Sequence, residues 1–182
     1  MIDGVPAAAV AEAEREWKAV RERAGFEGER LPGSAGLQHS HWDWDRKHRS
    51  TKGLLAYRML GIECNGQMQG LMLLKMAGCN ARLPEQAGKD LVYVDYIEAA
   101  PWNLKSVVAQ PRFGLVGVVL IAAAIQSSKE NGFKGRIGLH SLGQAEAFYR
   151  DKCRMTELGG DPEKQDLVYF EMNAAQADKF VR

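Results

Sequence analysis

Two segments near the start of the chain show a clear periodicity of apolar positions. Over residues 6–25 the apolar side chains recur at spacings of three and four, which predicts an amphipathic helix. Residues 54–64 and 66–77 flank Asn65-Gly66, a dipeptide typical of tight hairpin turns, and so predict a β-hairpin. The apolar positions of the helix are Val10, Ala13, Trp17, Val20 and Ala24.

The middle of the chain contains two longer apolar runs. Residues 91–99 are rich in β-forming residues and largely apolar on both faces, which predicts a central strand that ends before Pro101. The run from Phe113 to Ile125 is shorter than the roughly 20 residues of a membrane span. It therefore predicts a buried helix over residues 114–131.

The last third of the chain alternates short elements. We expect a strand at 136–140, a helix at 142–152, and a final strand pair at 155–158 and 167–172. Residues 37–53 are polar and aromatic, and are predicted to be irregular. Taken in order, these elements predict a mixed α+β domain.

Composition narrows the choice of partners. The chain has 182 residues, which fits one domain, and its 24 Lys and Arg nearly balance its 23 Asp and Glu. The net charge of +1 gives no electrostatic reason to expect a nucleic acid or a membrane as partner. Since the first residues also lack the basic and apolar segments of a signal peptide, we expect a cytoplasmic protein.

The segment from Gln110 to Gly117 carries the strongest chemical signal. It follows a strand and a loop and opens a helix, and its glycines leave room for an anion beside free N–H groups. A P-loop would need Lys and then Ser or Thr after Gly117, and a dinucleotide fingerprint would need a repeated βαβ pattern. Neither pattern is present. A pair of glycines that only packs the helix remains the alternative.

The motif and the order of elements together resemble the GNAT superfamily of N-acetyltransferases. The family motif is [Q/R]-x-x-G-x-[G/A] after a strand that ends near a proline, and Arg112 and Gly117 match its first and last positions. Leu115 occupies the slot of its middle glycine, and Gly114 lies one residue earlier. The resemblance runs from about Leu54 to Met172 and includes the family's A-x-x-[FY]-Y element, which here ends at Tyr149.

The resemblance implies a fold and an activity. The fold would be α+β, with a mixed, mostly antiparallel central sheet flanked by helices and two central strands splayed apart. Residues 1–182 would form one domain, with a helix and substrate loop in 1–53 and the sheet and CoA-binding part in 54–172. Acetyl-CoA would be the cosubstrate, without a metal, and the acceptor a primary amine on a small molecule or peptide. A homodimer is left open.

The resemblance also implies where the cofactor lies. Backbone groups of Ile97, Glu98 and Ala99 would pair with the pantetheine arm as an added strand would. The pyrophosphate would lie against the start of the apolar helix. The residues implied there are Arg112, Gly114, Leu115, Val116, Gly117 and Val118.

Three residues are candidates for catalysis. Tyr149 stands where the family commonly has its catalytic tyrosine, and a phenol with a reference pKa near 10 can protonate a departing thiolate. Asp95 is the first candidate for the base and Glu98 the second, because a carboxylate in an apolar strand is costly unless paired or useful. Strict alternation would put Asp95 with Tyr93, Ile97 and Ala99 on one face, and Glu98 on the other. A packing role for Tyr149, and a structural role for either carboxylate, remain open.

The segment from His39 to Asp45 supports two interpretations. His39, His41 and Asp43 match part of a metallo-hydrolase motif, but Trp44 stands where the next His belongs, so that we expect no metal. By resemblance this is the substrate loop, which would contact the acceptor through four residues. These are His41, Trp42, Asp43 and Trp44.

Two other functions stay in view. One is a GNAT-fold module that binds CoA or a partner without catalysis, which the displaced glycine favours. The other is a toxin-like acetyltransferase that acts on aminoacyl-tRNA, which the balanced charge disfavours.

Overall fold

A seven-stranded sheet with helices on both faces makes up the computed structural model, which describes residues 1–28 and 37–182. The strands are β1 (Ile2–Asp3), β2 (Tyr57–Cys64), β3 (Gln67–Lys75), β4 (Val92–Ala99), β5 (Ile137–Ser141), β6 (Thr156–Asp161) and β7 (Leu167–Met172). They lie in the order β1-β2-β3-β4-β5-β7-β6, and only the β4–β5 pair is parallel among the described residues. The expected α+β fold with a mostly antiparallel sheet is confirmed.

Within the described ranges, four α-helices cover the two faces of the sheet. They are α1 (Ala7–Gly28), α2 (Trp44–Thr51), α3 (Val116–Glu130) and α4 (Ala174–Phe180). One apolar core lies under α3 and α4 and includes Leu120 and Ile125, both fully buried. A second core lies under α1 and α2, where Trp17 and Trp44 are fully buried and meet edge to face. The apolar stripe predicted for the first helix therefore faces the sheet at Val10, Ala13, Trp17 and Val20, whereas the side chain of Ala24 lies outside the described residues.

The predicted hairpin between β2 and β3 is confirmed. Asn65 has a φ of +53° and Gly66 a φ of +75°, which are the left-handed conformations that a two-residue hairpin turn needs at both central positions. The Asn-Gly pair thus sets the register of the two strands.

The parallel strands β4 and β5 diverge after three residue pairs. Val92 to Val94 pair with Ile137 to Leu139, but β4 continues to Ala99 and β5 to Ser141. We call this divergence the splay. Beyond it, the edge of β4 that faces β5 has no strand partner in the described part of the chain, and the expected separation of the central strands is confirmed.

A β-bulge interrupts the alternation of β4 next to the splay. Leu73 of β3 lies opposite Tyr96, while Leu74 lies opposite Val94, so that Asp95 is an extra residue in β4. Side chains after Asp95 therefore point to the face opposite to the one that strict alternation predicts.

Some expectations about the elements were wrong. Residues 37–53 are not wholly irregular, because α2 lies within them, and Ile2–Asp3 forms an edge strand with no sequence signal. The helix expected at 142–152 is a 3-10 turn over Gly143–Ala145 followed by a π-helical turn over Phe148–Lys152. Among the helices that the structure describes, none is both long and apolar enough to cross a bilayer.

Candidate functional site

The N-terminus of α3 has unused hydrogen-bond donors. Leu115 is its N-cap residue, and no side chain caps this end. No hydrogen bond of the described residues uses the amides of Val116, Gly117 or Val118. Free N–H groups and the partial positive charge of a helix start suit a phosphate, and the pyrophosphate site at this end stays a prediction.

Leu115 itself lies in a conformation that favours glycine. Its φ is +62°, in the left-handed region, and its side chain is 73% exposed. A residue with a Cβ atom is strained there, and the exposed side chain gains little from packing. The slot that the family motif gives to a glycine is thus the slot where this backbone needs one, although this chain has leucine.

The loop before α3 contacts the β2–β3 hairpin and the turn that follows β4. Arg112 donates to Gln67 Oε1 at 3.2 Å and lies over the ring of Trp102, 5.2 Å from its centroid. Phe113 donates its amide to Asn103 Oδ1 at 3.0 Å. Arg112 is exposed, so its guanidinium lies at the surface beside the helix start.

Two glycines set the approach of α3 to its neighbours. A Cβ atom on Gly70 of β3 would lie 2.7 Å from Val116 Cγ1, and one on Gly117 would lie 3.0 Å from Phe148 Cζ. Both glycines therefore serve packing. Gly114 has open space around it, so its lack of a side chain is not required by contacts within the described chain.

The bulge at Asp95 corrects the prediction of which β4 residues share a face. Ile97 and Ala99 pack on the core under α3, whereas Glu98 lies on the opposite face. Tyr93 is also on the face opposite the α3 core, since its neighbours Val92 and Val94 both belong to that core. Tyr93 and Glu98 thus share a face, and Ile97 and Ala99 do not share it with Tyr93.

Glu98 lies in a buried ion cluster between β4, α1 and α2. Arg21 Nη1 donates to Glu98 Oε1 at 2.9 Å, and Trp44 Nε1 donates to Glu98 Oε2 at 2.6 Å. Arg21 Nη2 also donates to Glu14 Oε1 at 2.6 Å, and both side chains of the Arg21–Glu98 pair are about 1% exposed. We call Glu14, Arg21, Trp44 and Glu98 the ion cluster. Because its oxygens already accept strong hydrogen bonds, the Glu98 carboxylate is held as a structural partner.

Asp95 is in a different situation. It is partly buried, and no hydrogen bond or ion pair of the described residues includes its carboxylate. Burial raises its pKa above the ordinary value, although the charges of Lys164 and Lys47 oppose this. The side chain therefore keeps unused acceptor capacity at the splay.

A chain of three polar side chains lies on the same face of the sheet as Tyr93. Tyr93 Oη is 2.7 Å from His140 Nδ1, and His140 Nε2 is 2.9 Å from Asp161 Oδ2. Arg82 Nη1 donates to Asp161 Oδ2 at 2.7 Å. The sequence interpretation missed these residues; the only signal was a histidine and a tyrosine within otherwise apolar strands.

Tyr149 lies in the π-helical turn and is 5% exposed. Its ring packs against Phe148 and Phe170, with centroids 5.1 and 5.8 Å away. Burial raises its pKa above 10, so that the phenol is protonated at neutral pH. Its hydroxyl makes no hydrogen bond with the described residues, and the group is chemically able to donate a proton.

The four substrate-loop residues lie in different surroundings. His41 is exposed, and the ring of Trp42 meets Tyr96 edge to face at 5.0 Å between centroids. Asp43 is the N-cap of α2 and accepts from the Arg46 amide at 2.8 Å, while Trp44 is fully buried in the ion cluster. Trp42 is therefore the member that lies beside β4 with a partly exposed ring.

The metal interpretation finds no support in this segment. Among the described residues, no three His, Cys, Asp or Glu side chains come together as a metal site would require. His39 is instead 3.3 Å from Glu98 through Nε2, and its Nδ1 is 2.7 Å from Gln144 Nε2.

Comparisons with known proteins identify the fold. No protein-family model and no curated protein matches the chain. Among solved structures, the PaiA N-acetyltransferase of Thermoplasma acidophilum, in complex with coenzyme A, has a TM-score of 0.52 at 12% identity over 95% of this chain and 99% of that chain. YncA of Salmonella typhimurium, a candidate acetyltransferase with its cofactor acetyl-CoA, has a TM-score of 0.52 at 13% identity over 93% and 91%.

A third structure gives the same result. It is a candidate acetyltransferase of the GNAT family from Desulfovibrio desulfuricans, with a TM-score of 0.52 at 10% identity over 86% of this chain and 92% of that chain. At such identities the likeness concerns the fold. The chain has the fold of the GNAT superfamily, as the resemblance of its sequence implies.

Proposed function

We propose that this protein is an N-acetyltransferase that transfers the acetyl group of acetyl-CoA to a primary amine by direct attack. The observation that carries the proposal is that two backbone regions with unused hydrogen-bonding groups occur in one fold. The far half of β4 has a free edge at the splay, and the start of α3 has free amides. One elongated ligand with a peptide-like arm and a diphosphate has groups for both.

The cofactor would be held mainly by backbone groups. The free edge at Ile97, Glu98 and Ala99 would pair with the amides of the pantetheine arm, and the amides of Val116 to Val118 would bind the pyrophosphate. Arg112 lies beside the helix start and adds a positive charge. Similar folds solved with coenzyme A or acetyl-CoA support this choice of ligand.

The reaction needs a protonated leaving group and a deprotonated amine. The amine nitrogen would form a bond to the thioester carbon, the C–S bond would break, and Tyr149 would give its phenolic proton to the CoA thiolate. Asp95 is the carboxylate that we place against the acceptor, because its oxygens have no partner among the described residues while those of Glu98 are occupied. Trp42 would wall the acceptor beside β4.

A second candidate is a module that binds CoA without catalysis. The strained Leu115 at the helix start favours it, since this chain departs from the family motif where the phosphate would lie. An acetyltransferase for aminoacyl-tRNA has less support, because a net charge of +1 offers little attraction for RNA.

Calorimetry and a turnover assay separate these candidates. Titration with acetyl-CoA is expected to give a saturable one-to-one binding curve, and thiol release is then followed with amino acids, polyamines, a lysine peptide and an aminoacyl-tRNA. Turnover of any primary amine supports the enzyme. Binding without turnover on the whole panel favours the non-catalytic module, and no binding of acetyl-CoA ends both proposals.

A further inference from the structure

We propose that Tyr93, His140 and Asp161 form a proton-accepting chain that takes the proton from the acceptor amine. This inference rests on the N-acetyl transfer proposed above. It assigns the base of the reaction to residues of β4, β5 and β6. Asp95 is left to accept hydrogen bonds from the N–H groups of the acceptor amine, whose ammonium form loses one proton to solvent before the attack.

The place of the chain in the fold is the first part of the argument. The last pair of the parallel strands is Val94 with Leu139. Asp95 and His140 are therefore the first residues beyond it on each strand, and they stand where the sheet opens. Since His140 Nδ1 is 2.7 Å from Tyr93 Oη, that hydroxyl also lies at this point.

The hydrogen bonds give the chain a direction. The side chains of His140 and Asp161 are 4% and 11% exposed, and His140 Nε2 lies 2.9 Å from the Asp161 carboxylate. A carboxylate accepts, so that Nε2 carries the proton and Nδ1 is the acceptor for the Tyr93 hydroxyl. The lone pairs of Tyr93 Oη are then available to accept from an amine.

The surroundings of His140 keep its imidazole neutral, which is the form that can accept a proton. Arg82, with a contribution from His140, lowers the pKa of Asp161 to about 2, so that this carboxylate stays ionised. Burial lowers the pKa of His140 below its ordinary value, and the neutral ring is thus the form present at neutral pH. The titratable and charged groups that face His140 are Tyr93 from β4, Asp161 from β6, Tyr169 from β7, and Arg82 and Lys164 from the connecting loops.

The proton transfer balances along this path. As the amine nitrogen bonds to the thioester carbon, its proton moves to Tyr93 Oη and the phenolic proton moves to His140 Nδ1. The imidazolium that forms is stabilised by Asp161. The C–S electron pair leaves with the thiolate, which takes a proton from Tyr149.

The test compares four variants in full-length protein, using the amine that gives the best turnover. His140→Gln can still donate to Asp161 but cannot take up a proton, and Tyr93→Phe removes only the hydroxyl. Tyr169→Phe is the matched control, because Tyr169 packs against His140 at 4.9 Å but donates its own hydroxyl to Glu171. Asp95→Asn tests the competing base.

The expected result is a fall in kcat of about 10²-fold or more for His140→Gln and Tyr93→Phe, with an unchanged Kd for acetyl-CoA. Wild-type kcat should decline only as pH falls below the range where histidine ordinarily titrates. We call this decline the acid limb of the pH profile, and kcat of His140→Gln should not show it. Tyr169→Phe should stay within about threefold of wild type. Asp95→Asn should chiefly raise the KM for the amine and keep the acid limb.

Other outcomes overturn the proposal. Unchanged turnover and an unchanged pH profile in His140→Gln would remove the chain from the mechanism, as would an equal loss in Tyr169→Phe. An acid limb lost only in Asp95→Asn would make that carboxylate the base. NMR of the imidazole nitrogens gives a readout without turnover, and a neutral ring protonated at Nδ1 would reverse the chain. Acetyl-CoA binding without turnover of any amine by the wild type would defeat the proposed function itself, and this chain with it.

Discussion

Two carboxylates on β4 lie three residues apart, and their surroundings differ in kind. Glu98 is buried in the ion cluster, where Arg21 and Trp44 occupy its oxygens. Asp95 stands at the splay with no partner among the described residues, and burial raises its pKa. Both are acids in a mostly apolar strand. The comparison teaches that leftover hydrogen-bond capacity, more than charge in an apolar strand, marks a residue as available for a ligand.

The largest effect should come from breaking the ion cluster. Glu98→Ala leaves buried Arg21 with Glu14 as its remaining carboxylate partner among the described residues, and loss of one partner of a buried pair costs about 3–5 kcal/mol. Urea unfolding measures the change. Asp95→Ala is the matched control on the same strand and should change the free energy of unfolding by at most about 1 kcal/mol. Equal losses in the two variants would erase the distinction between the carboxylates.

The second effect concerns Tyr149, whose hydroxyl also lacks a described partner. Tyr149→Phe removes the acid, so that kcat should fall by about 10²-fold while the Kd of acetyl-CoA and the melting temperature stay close to wild type. A thiol-release assay measures kcat, and isothermal titration calorimetry measures the Kd of acetyl-CoA. A normal kcat in this variant would leave Tyr149 as a packing residue only.

The third prediction tests the start of α3 with one substitution that should raise the stability of the fold and weaken acetyl-CoA binding. Leu115→Asp puts a residue that tolerates the left-handed conformation, and a negative charge, at the start of α3. This should raise the free energy of unfolding by roughly 0.5–1 kcal/mol. The same charge should repel a diphosphate and weaken acetyl-CoA binding by about fivefold, since about 1 kcal/mol is expected for unit charges near 4 Å in water.

Leu115→Asn is the neutral control for that variant. Asparagine has nearly the same shape as aspartate and tolerates the left-handed conformation of this position, so it should stabilise the fold without weakening the cofactor. If Leu115→Asp binds acetyl-CoA as tightly as Leu115→Asn, the diphosphate lies elsewhere.

The smallest effect is a difference in pH dependence between two aspartates. The folded-state pKa of Asp95 is raised, so its contribution to stability is present below the unfolded value near 3.9 and is lost as pH rises through the folded pKa. Asp95→Asn should therefore gain stability relative to wild type between pH 4 and 7, on the order of tenths of a kcal/mol.

Asp161 should show the opposite sign in the same experiment. Its pKa is lowered to about 2, so its contribution is present above the unfolded value and is lost as pH falls through about 2. Asp161→Asn should thus lose stability relative to wild type as pH rises from 2 to 5. If the stability of Asp95→Asn and Asp161→Asn relative to wild type changed in the same direction with pH, the different surroundings assigned to the two carboxylates would be contradicted.

Local patterns predict much of this fold. The Asn65-Gly66 turn, the amphipathic α1 and the apolar α3 each depend on residues close in sequence, and the structure confirms all three. The short helix α2 had a usable signal in Asp43, a good N-cap residue three positions before Arg46, but its polar sequence lacks an apolar stripe.

The site could be predicted only in part, because its chemistry depends on long-range pairing. Arg21 neutralises Glu98 from 77 positions away, and His140 of β5 reaches Asp161 of β6 across the intervening strand β7. Nothing near Glu98 in the sequence indicates its partner. The bulge at Asp95 is equally hidden, since one extra residue in a run of β-forming residues leaves no local trace.

That single extra residue has a consequence for the whole of β4. Without it, the parity of the strand would reverse after Val94, and Glu98 would point into the hydrocarbon layer beneath α3, far from any guanidinium. A carboxylate buried there without a counter-ion would cost several kcal/mol. The bulge at Asp95 is therefore also what allows β4 to carry an acid three positions before Pro101 without destabilising the apolar core beneath α3.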